Sequence, residues 1–214
     1  MREKRIGYYD YTVVLTYFGM IAATIGIFRV LNGQHWDALV CLMISGFCDM
    51  FDGTVASLKV GRTEEERRFG IQIDSLSDLI SFGALPGIFV YSITGKSKIS
   101  AVVCVMYILC ALIRLAFYNV LEEKRQQETT ERRESILGLP VTTIAVMLPL
   151  MYLMFDLYVF KNTNWFMVLL TLVSCGFLTP VEVKKPGFVG KIALIIVGIF
   201  EAIGMFVFMG WEVL

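Results

Sequence analysis

Two stretches decide how this chain is read: Asp49-Met-Phe-Asp52-Gly53-Thr-Val-Ala56-Ser57 and Gly70-Ile-Gln-Ile-Asp74-Ser-Leu-Ser-Asp78. The first pair of carboxylates stands at i, i+3 and the second at i, i+4. On helices, each pair shares one face. One pair ends an apolar segment and the other begins the next, so the Lys59–Phe69 stretch between them is expected to reverse the chain and let the pairs converge. An ionised carboxylate in or beside a bilayer is costly and marks a functional site. Four facing one another need positive charge to coexist. Divalent metal supplies that charge, and in turn it attracts phosphate. Oxygen-only ligands favour magnesium, manganese or calcium. Gly53 and Gly70 leave room for a bulky ligand beside the backbone, and Ala56 keeps the same face small.

Outward from these stretches the chain is apolar. It has 214 residues, of which 57% are hydrophobic, and a mean hydropathy of +0.69. This composition predicts an all-α, polytopic transmembrane bundle without a separate soluble domain. Seven segments are long enough to span hydrocarbon as helix: about Tyr11–Leu31, Trp36–Ala56, Gly70–Thr94, Ile99–Leu121, Leu139–Phe160, Asn164–Val181 and Phe188–Gly210. Pro86, Pro140, Pro149 and Pro180 sit in or at the ends of spans and predict kinks. A formal net charge of zero gives no sign of nucleic-acid binding. Cys41, Cys48, Cys104, Cys110 and Cys175 all lie in apolar segments without a CxxC pair, and read as small hydrophobes. Met1 to Asp10 is basic and aromatic and lacks the pattern of a signal peptide, so insertion is expected to rest on the first span.

Charge orients the spans. Arg2, Lys4, Arg5, Lys59, Arg62, Arg67, Arg68, Lys124, Arg125, Arg132, Arg133, Lys184, Lys185 and Lys191 fall in one set of loops. Only Arg29, Lys96, Lys98 and Lys161 fall in the other, and Arg114 lies inside a span. The positive-inside rule puts the N-terminus and the carboxylate cluster on the cytoplasmic side of the inner membrane. The mixed-charge 121–137 stretch reads as a solvated helix or connector whose basic side can touch anionic lipid.

The aspartate arrangement closely resembles the signature of the CDP-alcohol phosphotransferases, D-x2-D-G-x2-A-R followed by G-x3-D-x3-D. Asp49, Asp52, Gly53, Ala56, Gly70, Asp74 and Asp78 match it. Ser57 stands where the family has arginine, and the spacer to Gly70 is longer than the family's; Lys59 or Arg62 in that loop is the candidate replacement. The resemblance implies a six-helix membrane core with a polar cavity open to the cytoplasm. It is expected to cover residues 1–185, with 186–214 as an additional C-terminal transmembrane helix. It further implies two divalent cations per site, Mg2+ or Mn2+ with Ca2+ as an alternative occupant, held by Asp49, Asp52, Asp74 and Asp78. Asp78 is also expected to act as general base. CDP-lipid contacts are expected from Thr16, Asp52, Gly53, Ala56, Ser57, Arg62 and Gly70. A homodimer is a further expectation of the resemblance.

Phe69–Gly83 with Pro86, Arg114-Leu-Ala-Phe-Tyr-Asn119, and Gly138-Leu-Pro140 are similar to the phosphatidylserine synthase branch of that family. This similarity implies transfer of the phosphatidyl group from CDP-diacylglycerol to the hydroxyl of L-serine, with CMP leaving. Arg114, Asn119 and Ser81 are the candidate acceptor-binding residues. A guanidinium inside a span faces a wet cavity or an anion, here the serine carboxylate or a substrate phosphate, or else serves the scaffold by holding a helix-end carbonyl or a cluster aspartate. Glycerol 3-phosphate and inositol phosphate are rival acceptors, but each carries a phosphate and asks for more intramembrane cation than Arg114 alone. A divalent-cation transporter is the alternative of another class. It predicts acids near mid-membrane and repeated halves, neither of which the sequence shows. His35, the only histidine, is expected at the surface on the far side; Glu201, mid-segment in the last span, is expected to have a structural partner. Ser75, Ser77 and Ser81 are expected mainly to pack, and the aromatic-rich last segments to face lipid.

Overall fold

In a computed structural model, which describes residues 7–9, 11–61, 63–128, 135–159, 161–184 and 187–212, every predicted segment is helical. Helix α1 is Val14–Leu31, α2 is His35–Ser57 and α3 is Glu64–Asp78. A π-helical turn, Leu79–Ala84, joins α3 without a break to α4, Leu85–Ile93. Then come α5, Lys98–Glu128; α6, Ile144–Asp156, entered by a 3-10 turn at Val141–Thr143; α7, Asn164–Leu178; and α8, Phe188–Glu212. Among the described residues, four helices are long and apolar enough to cross a membrane: Val14–Leu31, His35–Ala56, Glu64–Ile93 and Lys98–Arg125. Val141–Asp156, Asn164–Leu178 and, within α8, Ile192–Val207 are shorter apolar stretches. The lipid-facing surface is visible in exposed apolar side chains such as Phe18, Ile21, Ile25 and Phe28 on α1 and Val102, Val105, Leu109 and Ile113 on α5.

The α1–α2 pair packs on small residues. A side-chain carbon at Gly19 would lie 3.3 Å from Cys48, and one at Gly26 would lie 3.0 Å from Cys41. With Ala23, which is fully buried, these positions form a small-residue stripe at helical spacing, the usual way for helices to approach closely in lipid. Ser45 hydroxyl donates to the Gly19 carbonyl across the same seam at 2.8 Å.

Helix α3 starts at Glu64, earlier than apolarity alone suggests, because Thr63 and Glu66 form a capping box. Glu64, Glu65 and Glu66 then meet the positive end of the helix dipole. Pro86, just after the π turn, has no N–H to offer the Phe82 carbonyl four residues back. Tyr107 of α5 supplies the bond instead, its hydroxyl donating to Phe82 O at 2.6 Å from a fully buried position. The carbonyl that Pro86 cannot serve is thereby bonded from α5, one turn beyond Asp78.

Helix α5 runs past Leu121 to Glu128, because the EEKRQQE stretch continues it with good helix formers and an Arg125–Glu122 pair. Beyond it lies an element the sequence did not announce. Strands β1 (Ser135–Leu137) and β2 (Glu182–Lys184) pair antiparallel, Ile136 opposite Val183. Gly138 follows with φ +70°, and a side-chain carbon there would stand 2.9 Å from the Gly176 and Thr179 carbonyls. Only glycine satisfies both the conformation and the gap.

The core gathers Leu39, Leu42, Phe82, Phe89, Tyr107, Ile144, Leu148, Phe166 and Leu170. Two expectations are corrected here. His35 is not a surface residue: it is half-buried, with Nε2 3.3 Å from Ser92 Oγ and its ring against Phe89. The aromatics of the later segments are divided, with Tyr152, Phe166 and Phe177 buried while Phe200 and Phe206 are exposed.

Candidate active site

The two aspartate pairs converge. Single carboxylate oxygens of Asp49, Asp74 and Asp78 lie within 4.8 Å of one another. Asp52 flanks them, within hydrogen-bonding reach of Asp74, as Asp49 is of Asp78. Helical spacing puts Asp49 and Asp52 on the face of α2 that meets α3, and one α3 turn separates Asp74 from Asp78. Asp49 is 14 residues along α2 from His35, about 21 Å of helix. The acids therefore occupy one end of the bundle, and His35 with the Phe89–Tyr152–Phe166 aromatic cluster occupies the other.

Helix α1 holds the cluster from behind. Buried Thr16 donates from Oγ1 to Asp52 Oδ2 at 3.1 Å, while its carbonyl accepts from Ser77 Oγ at 3.2 Å. One threonine thus ties α1 to both acid-bearing helices. Asp74 Oδ1 is buried with no hydrogen-bond partner among the described residues. A buried oxygen left in that state costs stability unless something satisfies it. Three convergent carboxylates with one orphaned oxygen fit a hard divalent cation with oxygen ligands, which is how the residues present meet the expectation of metal.

The acids border a cavity of about 360 Å³. Asp49, Asp74, Asp78 and Ser75 line it from α2 and α3; Arg114, Tyr118, Asn119 and Glu122 line it from α5. Positions 114, 118 and 122 recur every four residues, so a single face of α5 turns to the cavity. Ile136, Pro140, Val141 and Thr142 close the side beyond β1. Arg114 is 93% buried (7% exposed), donates from Nε to the Leu139 carbonyl at 2.5 Å, and has its guanidinium carbon 4.4 Å from the Tyr118 ring centre. It lines the cavity and also braces a backbone carbonyl, the scaffold contact that the sequence offered as one of its two readings. Asn119 accepts from Ser75 Oγ at 2.7 Å and donates to Gln72 at 3.3 Å, bridging α5 to α3.

Other candidates stand apart from this cavity. Ser81 is buried within the π turn and is not among the lining residues. Gly53 and Ala56 lie on the last turns of α2, with open space around the Gly53 position; Gly70 is half-buried in α3. Ser57 ends α2, and Arg62 lies outside the described residues. Lys59 Nζ is 3.0 Å from Glu66, the acid of the capping box, and does not line the cavity. Tyr118 is the functional candidate that sequence reading passed over. Its only signal was its place one turn beyond Arg114.

An apolar helix bundle thus brings a carboxylate cluster and a buried arginine to one cavity, which defines the class: a membrane-embedded helical protein with a built acidic site. The family model of the CDP-alcohol phosphatidyltransferases matches residues 12–177, and the chain belongs to that family. The match covers α1 to the end of α7 and stops before α8.

Among relatives, the chain is similar to the CDP-diacylglycerol--serine O-phosphatidyltransferase of Helicobacter pylori, 29% identical over 83% of this chain and 70% of that protein. It is similar to the archaetidylserine synthase of Methanothermobacter thermautotrophicus, 31% identical over 72% of this chain and 62% of that one. It is also similar to the CDP-diacylglycerol--serine O-phosphatidyltransferase of Saccharomyces cerevisiae, 31% identical over 56% of this chain and 43% of that one.

Proposed function

We propose that this protein transfers the phosphatidyl group of CDP-diacylglycerol to the hydroxyl of L-serine, releasing CMP, and that it needs divalent metal to do so. The observation that carries the reading is the single cavity lined by Asp49, Asp74 and Asp78 together with Arg114 and Asn119. Relatives named for the same transfer to serine support the choice of acceptor.

Asp49, Asp52, Asp74 and Asp78 would hold the cations, two per site, magnesium or manganese by the chemistry of the ligands. Bound there, metal neutralises the diphosphate and the charge that develops on its oxygens. The chain's own residues do the rest. The serine hydroxyl oxygen bonds to the phosphorus that carries diacylglycerol, the bond from that phosphorus to the CMP oxygen breaks, and the hydroxyl proton passes to Asp78. Thr16 keeps Asp52 oriented. Arg114 offers its terminal N–H groups to the serine carboxylate, the one acceptor charge that a planar guanidinium can pair with twice. The apolar flanks of the bundle admit the two acyl chains from the lipid. The loop-charge asymmetry supports placing this end of the bundle in the cytoplasm, where CMP is released; the family resemblance supports a homodimer.

The test is purified protein with CDP-diacylglycerol and radiolabelled serine, with and without EDTA, against glycerol 3-phosphate and inositol phosphate as rival acceptors. Labelled phosphatidylserine and CMP in equal amounts, abolished by EDTA and restored by magnesium or manganese, are expected. Turnover with a rival acceptor alone would overturn the choice of serine. Metal flux into vesicles without CMP release would overturn the enzyme reading altogether.

A further inference from the structure

Tyr118 occupies a position that none of the preceding roles accounts for. Its hydroxyl donates to the Leu137 carbonyl at 2.6 Å and also accepts from the Leu137 backbone N–H. Both polar groups of one β-ribbon residue are thereby tied to one side chain of α5. The face of its ring lies under the Arg114 guanidinium at 4.4 Å. Arg114 in turn holds Leu139, two residues beyond Leu137, through its Nε–H. Leu137 ends β1, so its pairing with Glu182 of β2 is clamped through the same contact. Arg114, Tyr118 and the 137–139 backbone form a closed loop of contacts; Arg114 and Tyr118 line the cavity, as do Ile136 and Pro140 on either side of that backbone.

We propose that Tyr118 is a positioning residue that sets acceptor affinity and selectivity, by fixing the guanidinium of Arg114 and the ribbon wall at one spacing. The proposal rests on the reading of Arg114 as the acceptor's carboxylate partner. With Nε committed to Leu139 and a further side-chain bond to Tyr118, the remaining terminal N–H groups are what the guanidinium has left for a ligand. A paired hydrogen bond needs its plane held within a narrow range of orientations. An aromatic face stabilises a guanidinium over it and restricts that plane. Phenylalanine at 118 would keep the face and lose the hold on Leu137, and leucine would lose both. The two halves of the device are separable.

Serine KM, serine kcat, the KM for CDP-diacylglycerol and the hydrogen exchange of the 135–139 amides are to be measured for wild type, Tyr118→Phe and Tyr118→Leu. In Tyr118→Phe the Leu137 amide is expected to exchange faster, and serine KM to rise about threefold to tenfold. In Tyr118→Leu serine KM is expected to rise further, to about tenfold or more, on the order of a lost cation–π contact in a desolvated site. The KM for CDP-diacylglycerol and the metal concentration for half-maximal activity should stay within about twofold in both. Discrimination between serine and homoserine is expected to narrow alongside.

Unchanged serine KM in both variants overturns the proposal. So does a uniform fall in kcat with both KM values altered and a lowered thermal midpoint, which marks a merely structural role. If wild type itself makes no phosphatidylserine, the choice of acceptor has failed instead. The same KM split is then read with whichever acceptor it does use, and faster Leu137 exchange still reports on the clamp.

Discussion

The bundle buries carboxylates in two places, and they are handled differently. Where α2 and α3 meet, three aspartates line one cavity with a buried arginine, a fourth, Asp52, flanks them and is bonded by Thr16, and one oxygen of Asp74 is left open. In α8, Glu201 is only 1% exposed, and neither of its carboxyl oxygens has a hydrogen-bond partner among the described residues. Among the described residues, the hydrogen-bonding partner that the sequence led us to expect for it is not found. Both places are costly in lipid. On the proposed function the aspartates return that cost as chemistry: oxygens of three of them converge at the cavity, and one is without a partner among the described residues. Glu201 sits where α8 packs on α6 and α2, away from the lining of the cavity. Burial of an acid, by itself, therefore does not mark the active site; convergence onto a cavity does.

The sharpest way to break this contrast is Asp78→Asn. The amide keeps the shape and cannot take the serine proton. We expect kcat to fall by about 10²–10⁴, the usual worth of a general base, while CDP-diacylglycerol binding, measured by isothermal titration with the metal present, is retained in large part. Turnover within tenfold of wild type would remove Asp78 from that role.

A milder effect separates ligand from base. Asp74→Asn is expected to raise the magnesium concentration for half-maximal activity by about 10- to 100-fold, the range found when the environment of a metal site is altered. Stability should move the other way. In EDTA the variant should melt a few degrees higher than wild type, because one of four neighbouring like charges is gone and about 1 kcal/mol corresponds to roughly 2–4 °C for a chain of this size. Added magnesium should then raise the melting point of wild type more than that of the variant. A cluster that is merely structural predicts the opposite in EDTA, a loss of stability on substitution.

The same contrast explains what the sequence made legible. Asp49, Asp52, Asp74 and Asp78 are close in sequence and lie on regular helices, so spacing alone assigns their faces, and the short connection between α2 and α3, shorter than the 59–69 stretch expected because α3 begins at Glu64, brings the pairs together. The helices themselves follow from apolar runs, with boundaries displaced only where polar chemistry extends them: the Thr63 capping box at α3 and the EEKRQQE continuation of α5. The rest of the cavity lining was not legible beyond Arg114 and Asn119. Its ribbon pairs residues 135–137 with 182–184, two three-residue strands far apart in sequence and too short for any period to show. Tyr118 gains meaning only from that ribbon. Ser81 reads as a candidate from its place beside the α3 aspartates, but the π turn that begins at Leu79 shifts the register there, and the side chain is buried off the cavity. Glu201 could be read as buried from sequence, but not as unpartnered, since a partner is a fact of tertiary packing.

The smallest expected effect lies at Glu201 itself. Glu201→Gln preserves the shape and both polar positions and removes the possibility of charge, so the seam between α8, α6 and α2 should tolerate it. We expect kcat and both KM values within about twofold of wild type, an unchanged magnesium requirement, and a melting point equal or slightly higher, since no bond of the carboxyl to the chain is lost. Glu201→Lys gives the complementary arm: a longer side chain bearing charge in the same seam should lower the melting point by several degrees, on the scale of an unpaired buried charge. If Glu201→Gln instead lost activity on the scale of the Asp74 variant with its fold intact, the two acidic places would be one functional system. Convergence onto the cavity would then no longer distinguish a catalytic acid from a buried one.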